Sequence, residues 1–185
     1  MNQDLICFCH LRWNFVYQRP QHLLTRFAKR GRVFVFEEPI FGASHNYMEA
    51  NQVAESKVWI VIPRLMDGLN EAQIYEAQRT FVDELIESFD INSMISWYYS
   101  PMALTFSDHL QPELLVYDCM DELSAFNNAP PSLVKMEARL LSIADIVFTG
   151  GHNLYKAKKS LHSNIFPIPS SIDKAHFSQA RVHED

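Results

Sequence analysis

Seven short apolar runs recur along the chain: LICFC (5–9), VFVF (33–36), VWIVI (58–62), MISWYY (94–99), LLVYD (114–118), IVFT (146–149) and NIFPI (164–168). They are apolar at nearly every position, not at alternate ones. A strand of that kind is covered on both faces, which is the condition of a parallel sheet layered with helices. The stretches between the runs supply helices. Residues 18–30 place Leu23, Leu24, Phe27 and Ala28 on one face, with Pro20 in the first turn and Gly31 as a stop. Residues 70–89 carry a stripe of Ile74, Ala77, Phe81 and Leu85, widened by Val82, Ile86 and Phe89. The pair Pro130 and Pro131 opens a third pattern through Leu133, Met136, Leu140 and Ile143, and shorter helices are expected in SPMALTFSDHL and GGHNLYKAKKSLH. The expected fold is α/β: a doubly wound parallel sheet of about six or seven strands with helices on both faces. Residues 40–57 show no period, Pro63 is expected to stop the third strand, and residues 174–185 read as a polar tail or the start of a linker after a domain of residues 1–173.

With 185 residues, 48% of them hydrophobic and 21% charged, the chain can build a core without disulfides or a metal, and disorder is excluded. Three cysteines are too few for a secreted scaffold, so a reducing, cytoplasmic setting is expected. The opening MNQDL has no basic segment before an apolar one, and no run approaches the ~20 residues of a membrane helix. The net charge of −6 is uneven: residues 1–40 carry +3 and the remainder −9. That argues against nucleic-acid binding. The basic residues near Arg26 and Arg30 form either a solvated helix face or a patch that meets phosphates or the inner face of a membrane, where the protein would be peripheral.

In doubly wound sheets ligands bind beyond the carboxyl ends of the strands. That rule selects Cys9 and His10, Glu37 and Glu38, Arg64, Ser100, the run Asp118 to Glu122, and Thr149 to His152. No dinucleotide fingerprint, phosphate loop, nucleophile elbow or HExxH pair is present. Cys7, Cys9, His10 and Cys119 could form a soft metal site, but Cys7 and Cys9 sit inside an apolar strand, where free cysteine packs as a small hydrophobe, and no metal ligand is assigned. In YDCMDE (117–122), Asp118, Asp121 and Glu122 either orient a substrate or cap the following turn. His152, after Gly150 and Gly151, either donates to an anion or is a surface residue. In WNFVYQRPQHLL (13–24), Trp13, Arg19 and Gln21 either line a recognition cleft or close the sheet end, with Arg19 paired to an acid such as Glu37.

Three segments, WNFVYQRPQHLLTRFAKRGRVFVFEEP, YDCMDELSAF and SIADIVFTGGHNLYKAKKSLHSNIFPIPSSIDKAHF, together resemble the N-terminal half of bacterial glycosyltransferases built from two Rossmann-like domains, the GT-B architecture, in the family 4 group. The piece IPSSIDKAHF is similar to that family's P-N-G-V-D-x-x-x-F signature, with SSID at residues 170–173 in place of N-G-V-D. The resemblance implies an acceptor-binding, Rossmann-like domain, here without the C-terminal domain that binds the nucleotide-sugar donor. It implies a retaining transferase for cell-surface polysaccharide or glycolipid synthesis, inactive as this chain alone, with a sugar or lipid-linked sugar as acceptor and no tightly bound cofactor. Asp118 and Asp121 are then the candidate catalytic residues. Trp13, Arg19, Gln21, Ser100, Glu122, Gly150, Gly151 and His152 are the candidate substrate contacts. The first-strand turn CHLRWNF lacks the family's glycine pair, and Met120 or Asp121 stands near the position of its histidine. The alternative is a stand-alone, non-catalytic binding module. A metal-dependent hydrolase using His10, Asp118 and His152 is a third reading, without ligand spacing to support it.

Overall fold

The computed structural model describes residues 3–127 and 129–170. The first unit is β1 (Asp4–Cys9), α1 (Arg19–Phe27) and β2 (Val33–Glu37). β3 (Ile40–Phe41), β4 (Tyr47–Gln52) and β5 (Trp59–Leu65) follow, and α2 (Glu71–Ser88) crosses to β6 (Met94–Tyr98). A short 3-10 turn and α3 (Leu104–Ser107) lead to β7 (Leu114–Cys119), then α4 (Leu133–Ile143), β8 (Ile146–Thr149), α5 (His152–Lys158) and β9 (Ile165–Pro167). The sheet runs β3-β5-β2-β1-β6-β7-β8-β9, parallel along that path, with β4 antiparallel on β5. It is the expected α/β, Rossmann-like sheet, with nine strands among the described residues where six or seven were expected.

Every residue of β1 and β2 is buried, which is why their sequences lack alternation. Ile6, Phe8, Phe34 and Phe36 face Phe81, Val82 and Leu85 of α2, together with Leu140 and Leu141 of α4. Leu5, Cys7, Val33 and Val35 point to the other face, where Leu24 of α1 meets them beside Trp97. Helices therefore lie on both faces, and each large apolar side chain so enclosed contributes roughly 1.5–3 kcal/mol. α2 begins where Asn70 and Gln73 exchange side-chain bonds with each other's backbone N–H, at 3.0 Å in both directions.

The extra strands come from residues 40–57. β4 is an edge strand, half-buried or exposed throughout, and its sequence YMEANQ has no apolar alternation to betray it. It is held by backbone pairing from Tyr47 opposite Arg64 to Gln52 opposite Trp59. Pro63 does not stop β5. The parallel pairing to β2 ends at Val61 and that to β3 begins at Arg64, so no parallel neighbour needs the missing N–H of Pro63. Gly31 also differs from its expected part. α1 ends at Phe27, and a Cβ at Gly31 would lie 2.7 Å from the Gln3 carbonyl oxygen, so a close backbone approach, not a helix cap, asks for glycine there. The tail expected over residues 174–185 and the end of the domain boundary at 173 lie outside the described residues.

Candidate functional site

The chain leaves β1 towards β2 on one side and reaches β6 on the other, so the loops beyond β1 and β6 diverge. Such a switch point opens a crevice at the carboxyl edge of the sheet. A pocket of about 320 Å³ lies there, within the size range of small-molecule sites. The ends of β1 (Phe8, Cys9, His10) and β2 (Phe36, Glu37, Glu38) form part of its wall. Ile74, Tyr75 and Gln78 of α2 line it as well, and so does the stretch after β6 that includes Ser100, Met102, Ala103, Thr105 and Phe106. Phe8, Phe36 and Phe106 form a three-ring cluster, with centroids 5.6 to 6.0 Å apart, that makes this wall rigid.

The polar groups of the pocket differ in what already holds them. Glu37 accepts from Nη1 of Arg12 at 3.0 Å and from the backbone N–H of Trp13 at 2.7 Å. Arg12 also donates to the carbonyls of Glu38 and Pro39 at 2.6 and 3.1 Å, so one guanidinium fixes the whole β2 exit. Glu38 stands at the rim, its carboxyl raised by partial burial against the pull of Arg12. His10 is held below the usual imidazole range by burial, with Asp121 opposing, and its Nδ1 is buried without a hydrogen-bond partner. A neutral, unsatisfied imidazole can either donate to or accept from a hydroxyl. Cys7, Cys9 and Cys119 are free thiols; burial raises all three, Cys9 and Cys119 to about 12, so they stay protonated.

The end of β7 and the loop after it are pinned from two sides. Asp118 is fully buried, and its two carboxylate oxygens share the single Nε–H of Arg19, at 2.9 and 3.1 Å, while Nη1 of Arg19 donates to the Ile168 carbonyl at 2.6 Å. Burial raises the Asp118 carboxyl, and Arg19 pulls against that rise. Further along, Lys158 of α5 is 5% exposed and lies 2.9 Å from both Glu122 and Glu137. Glu137 also accepts from the Tyr117 hydroxyl at 2.7 Å. Partial burial works upward on Glu122, but Lys158 and Ser124 outweigh it and hold this carboxyl below the usual range.

Of the ten residues expected from the sequence, Ser100 lines the pocket, and Asp121 acts on His10 from beside it. Gln21 is 2% exposed and donates to the carbonyls of Trp13 and Val16, tying the loop before α1 together. The Trp13 side chain faces a second, open groove beside α1, shared with Tyr17, Arg26, Lys29 and Lys57. Gly150 packs on the backbone of Met120, Gly151 precedes α5, and His152 is exposed at its first turn. Arg19 meets Asp118, not Glu37, which belongs to Arg12. Gln78 is a lining residue the sequence reading passed over. It stands four residues after Ile74 and three before Phe81, and a polar residue inside an apolar stripe was the available signal. No group of three or more metal-type ligands occurs among the described residues.

No family model and no curated protein matches the sequence. Solved structures of GT-B glycosyltransferases do match. A trehalose-6-phosphate synthase structure from E. coli bound with UDP-2-fluoro glucose aligns with a TM-score of 0.61 at 8% identity, over 96% of this chain and 51% of the other. The catalytic domain of starch synthase IV from Arabidopsis thaliana, bound to ADP and acarbose, gives 0.58 at 8%, over 95% and 53%. An α,α-trehalose-phosphate synthase (UDP-forming) from Burkholderia xenovorans in complex with glucose-6-phosphate gives 0.52 at 9%, over 84% and 42%. The chain spans about half the length of these solved structures, and what it shares with them is the fold.

Proposed function

We propose that the chain is the N-terminal, acceptor-binding half of a retaining, nucleotide-sugar-dependent glycosyltransferase of the family 4 type, making a cell-surface polysaccharide or glycolipid. The observation that carries this reading is the pocket at the β1/β6 switch point of a domain that aligns end to end with half of two-domain glycosyltransferases. A second α/β domain would bring the donor over the carboxyl edge of the sheet, and transfer would take place between the two. In this arrangement the pocket holds the acceptor, His10 lines it with Asp121 acting on that imidazole, and the buried pair of Arg19 and Asp118 braces the end of β7. Water is excluded by closure of the second half over the apolar walls, which strengthens the polar contacts made inside.

The whole polypeptide encoded by the source gene and the 185-residue chain alone should each be given UDP- and ADP-sugars with lipid and aryl glycoside acceptors. Release of nucleoside diphosphate is expected from the whole polypeptide and not from the 185-residue chain. Release by the chain alone, or none by the whole polypeptide with any donor, would contradict the reading.

Contact with the cytoplasmic face of a membrane belongs to the same proposal. Among the described residues no helix is long and apolar enough to cross a bilayer. The loop before α1, however, exposes Phe15 (80%), Val16 and Tyr17 beside a groove whose charged lining residues are Arg26, Lys29, Lys57 and Glu55. Apolar side chains flanked by cations suit an anionic lipid surface, each cation adding about 1 kcal/mol near it. The chain is expected to pellet with phosphatidylcholine vesicles containing phosphatidylglycerol and not with phosphatidylcholine alone, and Phe15→Ser or Lys29→Glu should each reduce pelleting. Equal recovery in the supernatant with both vesicles would remove the membrane from the proposal.

A further inference from the structure

The walls of the switch-point pocket restrict what chemistry can enter it. Phe8, Phe36, Phe41, Ile74, Met102 and Phe106 make the lining predominantly apolar. None of the described residues that line it is a lysine or an arginine, and its two charged residues are Glu37 and Glu38. The guanidinium beside it, that of Arg12, is already engaged by the Glu37 carboxylate and by two backbone carbonyls. A phosphorylated sugar asks for the opposite surroundings, a guanidinium fork or an ammonium group aimed at the phosphate oxygens. Placed here it would lose its hydration, find no cation, and approach the Glu38 carboxyl at the rim. Among the described lining residues, the one buried side-chain polar atom left unsatisfied is Nδ1 of His10.

Resting on the acceptor-half reading, we propose that this pocket takes an uncharged acceptor with an apolar body, such as an aryl or alkyl glycoside, and not a sugar phosphate, and that the His10 imidazole hydrogen-bonds one of its hydroxyls. The aromatic cluster of Phe8, Phe36 and Phe106 then supplies the contact area, and His10 sets the orientation. Ser100 and Gln78, which also line the pocket, offer further polar groups to the same ligand. An acceptor of this class is supplied by a preceding reaction that attaches a sugar to an apolar alcohol or phenol.

The test is calorimetric titration of the 185-residue chain, without donor, with p-nitrophenyl glucoside and with glucose 6-phosphate. The aryl glucoside is expected to bind at least about tenfold more tightly. His10→Phe should weaken its binding roughly 3- to 10-fold, the worth of one net hydrogen bond, while leaving the melting temperature unchanged or higher, because Nδ1 has no partner to lose. Thr105→Trp, at the half-buried part of the wall, should abolish binding by filling the space. Equal or tighter binding of glucose 6-phosphate, no binding of the aryl glucoside, or full affinity in a folded His10→Phe protein would overturn the inference. Transfer to glucose 6-phosphate by the whole polypeptide would overturn it too, yet leave the acceptor-half reading standing. Failure to use any donor would remove that reading without altering which ligand the pocket prefers.

Discussion

Arg19→Met is expected to destabilise the chain by about 3–5 kcal/mol, the range for removing one partner of a buried ion pair. Arg19 is 9% exposed and Asp118 is not exposed at all, so the substitution leaves a carboxylate in the interior with no countercharge. Tyr99 and Trp97 also lie against Asp118, but neither the Tyr99 hydroxyl nor the indole N–H has hydrogen-bond geometry to it, so they do not replace the guanidinium. The loss extends beyond the pair, because Nη1 of Arg19 also ties α1 to the chain just past β9 through the Ile168 carbonyl. Urea unfolding followed by circular dichroism measures it. Arg19→Met combined with Asp118→Leu should recover most of the loss, since a buried pair replaced by apolar residues of similar volume is often neutral or better. A single-variant cost below about 1 kcal/mol would mean that water reaches Asp118 and that the pair does not brace the β7 exit.

Gly150→Val should cost about 2–3 kcal/mol, the upper part of the range for forcing atoms into occupied space. A Cβ at Gly150 would stand 2.5 Å from the Met120 carbonyl oxygen and 2.8 Å from its Cα, and backbone atoms cannot swing aside as a flexible side chain can. The Gly150 N–H also donates to the Cys119 carbonyl at 2.8 Å, so the tips of the β7 and β8 loops are fitted to each other at this residue. Displacing Met120 moves Asp121 with it, and with Asp121 the charge beside His10. The neighbouring Gly151→Ala is the control: nothing lies within 4 Å of its Cβ position and its backbone is extended, so the change should stay under about 1 kcal/mol. Similar losses at the two glycines would show that the β7–β8 loop contact is not what Gly150 provides.

The layers of the fold were legible because burial on both faces leaves its mark in sequence: LICFC and VFVF have no polar position, and the stripe on α2 steps by three and four. What could not be read was structure held by backbone pairing alone. β4 is a polar edge strand and β3 has two residues, so neither needs an apolar pattern, and Pro63 misleads because its place between two parallel partners is a matter of sheet order. The site divides in the same way. Cys9, His10, Glu37, Glu38 and Ser100 were selected only for following strand ends, and the switch point brings these five together. Residues singled out for their chemistry, such as Arg19 and Gln21, are engaged in holding loops to one another. Pairing between distant segments decides such roles. Which arginine meets Glu37 and which meets Asp118 depends on β2 and β7 lying on opposite sides of β1, a fact that no local window contains.

The measurement that bears most directly on the acceptor-half reading is the separation of transfer from donor binding in the whole polypeptide carrying Thr105→Trp. Phe41→Asp, at the exposed rim, serves as a second variant should the first fail to fold. With the pocket obstructed, transfer to the acceptor is expected to fall on the order of 100-fold, while the dissociation constant of the nucleotide-sugar stays within about twofold. Unchanged transfer, or a donor affinity that falls in step with transfer in both variants, would contradict the assignment of this pocket to the acceptor.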